Sequence, residues 1–232
     1  MTTAVILAGG LGTRLRSLIP NLPKPMAPVH DRPFLEYLMD YWISQGVTKF
    51  ILSVGYKSKV IINHFGPAYK GVPVFYVEEN EPLGTGGGLV LAAHGLITPF
   101  LLLNGDTYFE VSLKELKYFH KKNHSDWTIA LFRSNEANRY GAITIDDTGK
   151  IKKLKTAKCQ VGEFANGGVY LINPLTLAAF FQPGQIYSLE DEVITALIAA
   201  KKNIFGLSQD GRFLDIGIPV DYISAQKLFQ IN

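Results

Sequence analysis

The sequence predicts an α/β fold, a mostly parallel sheet flanked by helices with a small antiparallel insertion. Two observations carry this. Up to about residue 133, short β-rich apolar runs alternate with stretches of helical periodicity, a rhythm that implies right-handed crossovers. After about Asn135, strand-like runs follow one another with turns between them. No internal repeat, low-complexity tract or linker interrupts the chain, so one domain is expected over 1–232, with parts of about 1–133 and 134–232.

The elements follow in order. Thr3 to Ala8 is apolar enough for a buried strand, and Phe34 to Gln45 has helical spacing that meets Gly46, a helix stop. Phe50 to Val54 predicts a strand, Lys57 to Phe65 a helix and Val72 to Val77 a strand. Thr85 to His94 predicts a helix with glycines at its start, and Phe100 to Leu103 a fourth strand. Leu113 to Lys122 is the next helix and Thr128 to Phe132 the fifth strand. In the second part, Ala142 to Ile145, Ile151 to Leu154 and Gly168 to Ile172 are strands, with a hairpin turn at Asp146 to Lys150. Helices are expected at Leu175 to Phe181, Leu189 to Lys201 and Val220 to Phe229, with a short strand at Ile204 to Leu207.

Composition narrows the function. A formal net charge of +3 favours small anions mildly and leaves no footprint for nucleic acid. The single cysteine, Cys159, excludes an internal disulfide and any multi-cysteine metal site, which fits a reducing compartment. The first apolar run lacks a basic lead and breaks at Gly9-Gly10, so it is a poor signal peptide. No stretch approaches the roughly 18 apolar residues of a membrane helix. A cytoplasmic protein with no membrane partner is expected.

Four stretches suit phosphate chemistry. "LAGGLGTRL", Leu7 to Leu15, places glycines after the first strand, where backbone N–H groups can approach phosphates. No Gly-Lys-Ser/Thr follows, so it is not a P-loop, and Leu15 stands where a dinucleotide fingerprint needs its third glycine. Gly-Gly-x-Gly-x-Arg remains, with Arg14 and Arg16 beside the turn; a plain glycine turn with solvated arginines is the alternative. "LPKPMAP" mounts Lys24 stiffly between prolines, suited to holding a phosphate during transfer. "LLLNGD" ends an apolar strand on Asp106, and in open parallel sheets ligands sit beyond the carboxyl ends of strands; an Asx turn would also explain it. Asp215, in "FLDIGIP", stands among apolar residues and needs a cation or donors. Two such carboxylates on one Mg²⁺ would make a phosphoryl-transfer site.

Together these pieces resemble the bacterial sugar-1-phosphate nucleotidyltransferases. The matching motifs are "LAGGLGTRL", "PKP", "EPLGTGG" (Glu81 to Gly87), "LNGD", "YG" (Tyr140-Gly141), "NGGVY" (Asn166 to Tyr170), "SLED" (Ser188 to Asp191) and "DIGIP". They run in family order over almost the whole chain. The resemblance implies a Rossmann-like fold whose first part binds nucleotide and whose antiparallel insertion and closing part bind sugar. It places Leu7, Ala8, Gly9, Gly10, Gly12, Thr13, Glu79, Gly84 and Thr85 on a nucleoside triphosphate. It gives Arg14 the departing pyrophosphate, Lys24 the reacting phosphate, and Asp106 and Asp215 the Mg²⁺ cofactor. Tyr140, Gly141, Lys158, Asn166, Gly167 and Glu190 would meet the sugar phosphate.

Glu79 bears on the base. It stands three positions before Pro82, where relatives that use uridine or thymidine triphosphate often carry glutamine. A carboxylate suits the adjacent N1–H and N2 amino donors of guanine and fits uracil poorly. GTP is therefore favoured, with uridylyl or thymidylyl transfer as the alternative; Glu78, Glu79 and Glu81 as a solvated acidic loop is the other reading. Ile218, where many relatives have threonine, and "NGG" resemble the branch acting on D-glycero-D-manno-heptose 1-phosphate, then the mannose 1-phosphate branch.

One segment departs from the family. Relatives have a Glu-Lys pair whose lysine binds the sugar phosphate; here "KLKTAKC" offers Lys155 or Lys158, with Lys158 preferred. The run from Lys150 to Lys158 also suits an edge strand guarded by lysines. The departure alone fits a non-catalytic nucleotide-sugar-binding regulator, against which Arg14, Lys24, Asp106 and Asp215 are all present. His30, His64, His94, His120 and His124 lack ligand spacing, and no base pairs with Cys159. Tyr37, Tyr41 and Trp42 follow helical spacing, as core or as an interface, which leaves a homo-oligomer open.

Overall fold

The strand Thr3–Leu7 lies at the centre of a computed structural model that describes residues 1–15 and 18–229, without the side chains of 155–157 and 228. Arg16 and the side chain of Lys155 thus lie outside the described residues. Thr3–Leu7 pairs in parallel with Lys49–Val54 on one side and Phe100–Asn104 on the other. Val72–Glu78 continues the parallel ladder outward. Ala4, Val5 and Ile6 are fully buried, as a parallel strand covered on both faces requires. Alternation sorts the faces. Ala4, Ile6, Leu101 and Leu103 pack with Leu38, Trp42, Ile61 and Leu116 of the helices Phe34–Ser44, Ser58–Phe65 and Leu113–Lys122. Val5, Leu102 and Ile129 pack on the opposite face with Leu89 of Gly84–Ala92 and with Val193 and Leu197.

Beyond Phe100–Asn104 the sheet becomes mixed. Phe164–Ile172 runs antiparallel to Phe100–Asn104 and to Trp127–Arg133, and Ile204–Ser208 is parallel to the latter. Phe164–Ile172 forks: Val169 to Ile172 face Phe100–Asn104, while Phe164 and Ala165 face Gly141–Ile145, which in turn pairs with the edge strand Ile151–Lys158. The expected antiparallel strands are therefore hydrogen-bonded into the main sheet, ten-stranded among the described residues. The hairpin turn is built by Asp146, whose Oδ1 accepts from the backbone N–H of Thr148 and Lys150. The helix expected over Leu189 to Lys201 is instead a π-helical turn, Leu189–Ile194, followed by Thr195–Ala199. The short ribbon of Thr107–Phe109 with Phe213–Asp215 has no periodicity long enough to read.

Trp42 is buried in the core, and Tyr37 packs on Phe229 at 4.4 Å between ring centroids. Cys159, within a lysine-rich stretch of the sequence, is fully buried in the core. No helix among the described residues is long and apolar enough to cross a membrane.

His120, buried in the helix Leu113–Lys122, shares a hydrogen bond of 2.8 Å between Nδ1 and Thr128 Oγ1. Burial brings its pKa down from 6.5 to about 4. Between those values the unfolded chain binds more protons than the folded one, so stability falls as pH drops through the window. His120→Gln, which cannot titrate, is expected to flatten that slope by up to about 1.4 kcal/mol per pH unit. Urea midpoints of both proteins at pH 7 and pH 5 check this; parallel slopes would contradict it.

Candidate active site

Two aspartates far apart in the chain meet because glycine lets the backbone pass close over the first strand. Gly105 follows Phe100–Asn104, and its N–H donates to Leu7 O at 3.0 Å. A Cβ on Gly105 would stand 2.5 Å from that oxygen, so no other residue fits without a shift. The chain then enters the ribbon, where Thr107 lies opposite Asp215 and the Ile216 N–H donates to Asp106 O at 3.0 Å. Lys24, only 8% exposed in a 3-10 turn between its prolines, puts its ammonium on Asp106 Oδ2 and within 4.0 Å of Asp215 Oδ1.

The glycine loop walls a cleft of about 450 Å³ next to this cluster. Leu7, Ala8, Gly9, Gly10, Gly12, Thr13, Arg14, Lys24, Glu79, Gly84, Thr85 and Asp106 all line it, and Asn104 and Gly217 join them. Gly12 has φ +59°, and a Cβ there would press on Lys24 Cβ at 3.1 Å. Glu79 is held at both oxygens: Ser53 Oγ donates to Oε1 at 3.0 Å and the Leu83 N–H to Oε2 at 3.1 Å. Glu78 and Glu81 are exposed, so the solvated-loop reading describes them and not the half-buried, fixed Glu79. Thr85 Oγ1 accepts from the Leu189 N–H at 3.1 Å, joining the cleft to the π-helical turn.

A second cavity, about 1040 Å³, is lined by Tyr140, Gly141, Lys158, Asn166, Glu190 and Asp215, with Arg14 shared between the two. The register of Phe164–Ile172 against Trp127–Arg133 shifts between Asn166 and Tyr170, and such a bulge re-aims a side chain. Asn166 Nδ2 accordingly donates to Glu190 Oε1 at 2.8 Å and to the buried Tyr170 hydroxyl at 2.6 Å. Gly167 is not among the lining residues. A Cβ there would stand 2.4 Å from the Phe109 ring, so its glycine serves packing beneath the cavity. Lys158 lies opposite Gly141 in the edge strand and is exposed, while Lys152 pairs with Asp146 at 2.8 Å. Lys152 thus fits the lysine-guarded edge strand, and Lys158 borders the second cavity.

Sequence reasoning missed Arg139, Asp221 and Ser53. Arg139 and Asp221 form a close ion pair on the second cavity. Ser53 carried a readable signal, a lone hydroxyl inside the apolar run Phe50 to Val54.

Burial, and then the charge of Asp106, raise the pKa of Asp215, while Lys24 and the Gly217 N–H, 2.6 Å from its Oδ1, lower it. The pair of carboxylates thus needs a cation, which Lys24 partly supplies. With Lys24→Met, the cost of holding both carboxylates ionised should be present above the carboxyl pKa and relieved as pH falls through it. A stability loss of about 1–3 kcal/mol at pH 8, discounted for the partial exposure of Asp106, and a smaller loss at pH 5 are expected. Thermal melts at the two pH values measure it; equal losses would refute the electrostatic account.

Comparison with known proteins bears on this geometry. The chain is 39% identical to the D-glycero-alpha-D-manno-heptose 1-phosphate guanylyltransferase of Aneurinibacillus thermoaerophilus, over 98% of both chains. It is 35% identical to the probable mannose-1-phosphate guanylyltransferase 1 of Oryza sativa subsp. japonica, over 97% of this chain and 64% of that one. The crystal structure of HddC from Yersinia pseudotuberculosis complexed with GMP-PN superposes with a TM-score of 0.86 at 33% identity, covering 99% of this chain and all of that one. The family model described as nucleotidyl transferase matches residues 3–230, and the chain belongs to that family.

Proposed function

We propose that the protein transfers a guanylyl group from GTP to a manno-configured sugar 1-phosphate, D-glycero-D-manno-heptose 1-phosphate first and mannose 1-phosphate second. The observation that carries the base is Glu79, a carboxylate fixed by two donors in the same cleft as the glycine loop, Lys24 and Asp106. Each of its oxygens keeps acceptor capacity, matching the paired N–H donors of guanine. The heptose and mannose enzymes among the relatives support the sugar. On this reading residues to about 133 bind nucleotide and the remainder binds sugar and closes the site.

The proposed reaction is an in-line displacement. An oxygen of the sugar 1-phosphate attacks the α-phosphorus, a new P–O bond forms, and pyrophosphate leaves with the electron pair of the broken one. No covalent enzyme intermediate is needed, so positioning and charge neutralisation carry the rate. The backbone of the glycine loop would cradle the triphosphate, and Arg14, bordering both cavities, would meet the charge that develops on the leaving pyrophosphate. Lys24 would hold the phosphate under attack. Asn166, anchored on Tyr170 and Glu190, would orient sugar hydroxyls, and Lys158 would take the sugar's phosphate.

Asp106 and Asp215 fit Mg²⁺: two hard oxygen donors converge beside the phosphate cleft, and the raised pKa of Asp215 is what a cation there would reverse. Bound to both, Mg²⁺ would neutralise charge on the triphosphate.

Pyrophosphate release, measured with each of the four nucleoside triphosphates against heptose, mannose, glucose and N-acetylglucosamine 1-phosphates, tests the reading. GTP with heptose or mannose 1-phosphate is expected to lead; activity with UTP but not GTP would overturn the base. Asp106→Asn and Asp215→Asn should each lower turnover at least about 100-fold with melting temperatures near wild type. Glu79→Gln is expected to cost about 10–100-fold in kcat/KM for GTP and to narrow the gap to UTP.

A further inference from the structure

The adjacent residues Arg139 and Tyr140 grip the segment that carries Asp215 on both sides. Tyr140 stands edge-on to Phe213, just before the aspartate, with centroids 5.6 Å apart. Arg139 donates from Nη2 to Asp221, beyond the aspartate in the first turn of the closing helix Pro219–Leu228. Its Nη1 donates to Glu136 Oε1 at 2.8 Å, and the guanidinium lies 4.8 Å over the Tyr140 ring. The side chains of Arg139 and Asp221 are 18% and 10% exposed.

A planar fork held by two carboxylates and a ring has one geometry, which lysine does not reproduce. Stability alone does not explain such a pair, since apolar residues of similar volume replace buried ion pairs without loss in other folds. Its location does. Arg139 and Asp221 both border the second cavity, and the residue after Asp215 is hydrogen-bonded to the backbone of Asp106. The contacts of Arg139 thus run from the floor of the sugar cavity to the loop on which one of the two carboxylates stands.

We propose that Arg139 is a positioning residue. Acting through Asp221, it sets where the Asp215 carboxylate stands relative to Asp106, and so couples the sugar cavity to the cation site. The proposal rests on the reading of Asp106 and Asp215 as the Mg²⁺ pair.

The test uses the full chain with Mn²⁺ as the probe, followed by electron paramagnetic resonance in the presence of a non-hydrolysable GTP analogue and without sugar phosphate. Arg139→Met is expected to weaken Mn²⁺ at least about fivefold. It should also lower kcat at least about tenfold while the KM for GTP stays within about twofold. Arg139→Lys should fail to restore either value, and it carries the test if the Met variant does not fold. Asp221→Leu should match Arg139→Met, and the double variant should be no worse than either single one, because the two act as a unit. Unchanged Mn²⁺ affinity in a folded Arg139→Met protein would overturn the proposal. A raised KM for the sugar phosphate alone would overturn it too, making Arg139 a direct ligand. The control Asp215→Asn separates the two readings. If it retains Mn²⁺ as wild type does, the metal reading fails and takes this proposal with it; if it loses Mn²⁺ while Arg139→Met does not, only this proposal fails.

Discussion

The site depends on how closely the Gly105 backbone passes the carboxyl end of the first strand. That approach turns the chain over the mouth of the sheet, so that Asp106 projects beside Lys24. It also starts the ribbon that brings Asp215 alongside. The parallel sheet alone supplies a surface with strand ends and amide groups. The glycine crossing adds two carboxylates to it, and the proline-braced lysine stands against both.

Polar groups are fixed before any ligand arrives. Glu79 is oriented by Ser53 and the Leu83 amide, Asn166 by Tyr170 and Glu190, and Asp215 by the Gly217 amide. Ser53 and Glu190 come from distant parts of the chain, whereas Leu83, Tyr170 and Gly217 stand within four residues of the groups they orient. Pre-oriented dipoles need no rearrangement at the moment of transfer, which is where the proposed displacement would gain its rate.

Legibility followed physical range. The strand Thr3–Leu7 and the helices Phe34–Ser44 and Leu113–Lys122 could be read because their apolar spacing is local and long enough to show a period. The motifs at Gly9 to Arg14, Lys24, Asp106 and Asp215 could be read because glycine, proline and buried carboxylates are costly unless something needs them. Gly167 does not line the cavity that its neighbour Asn166 lines, and only the tertiary contact with Phe109 separates the two. The fork in Phe164–Ile172, the ribbon at Asp215 and the Arg139–Asp221 pair depend on partners distant in sequence, and no local pattern encodes them.

The reversed strand also governs the order in which the molecule can be completed during synthesis. Phe100–Asn104 is joined on one side by the first strand, already made, but its other neighbour is Phe164–Ile172. Until the ribosome has delivered that segment, an apolar strand from the middle of the finished sheet presents a bare edge, the kind of surface on which nascent chains stick to one another. The chain up to about residue 133 is therefore not a self-sufficient module. Its sheet is closed by a strand whose leading end lines the second cavity, so neither half can be cut away or exchanged at residue 133 without opening the other.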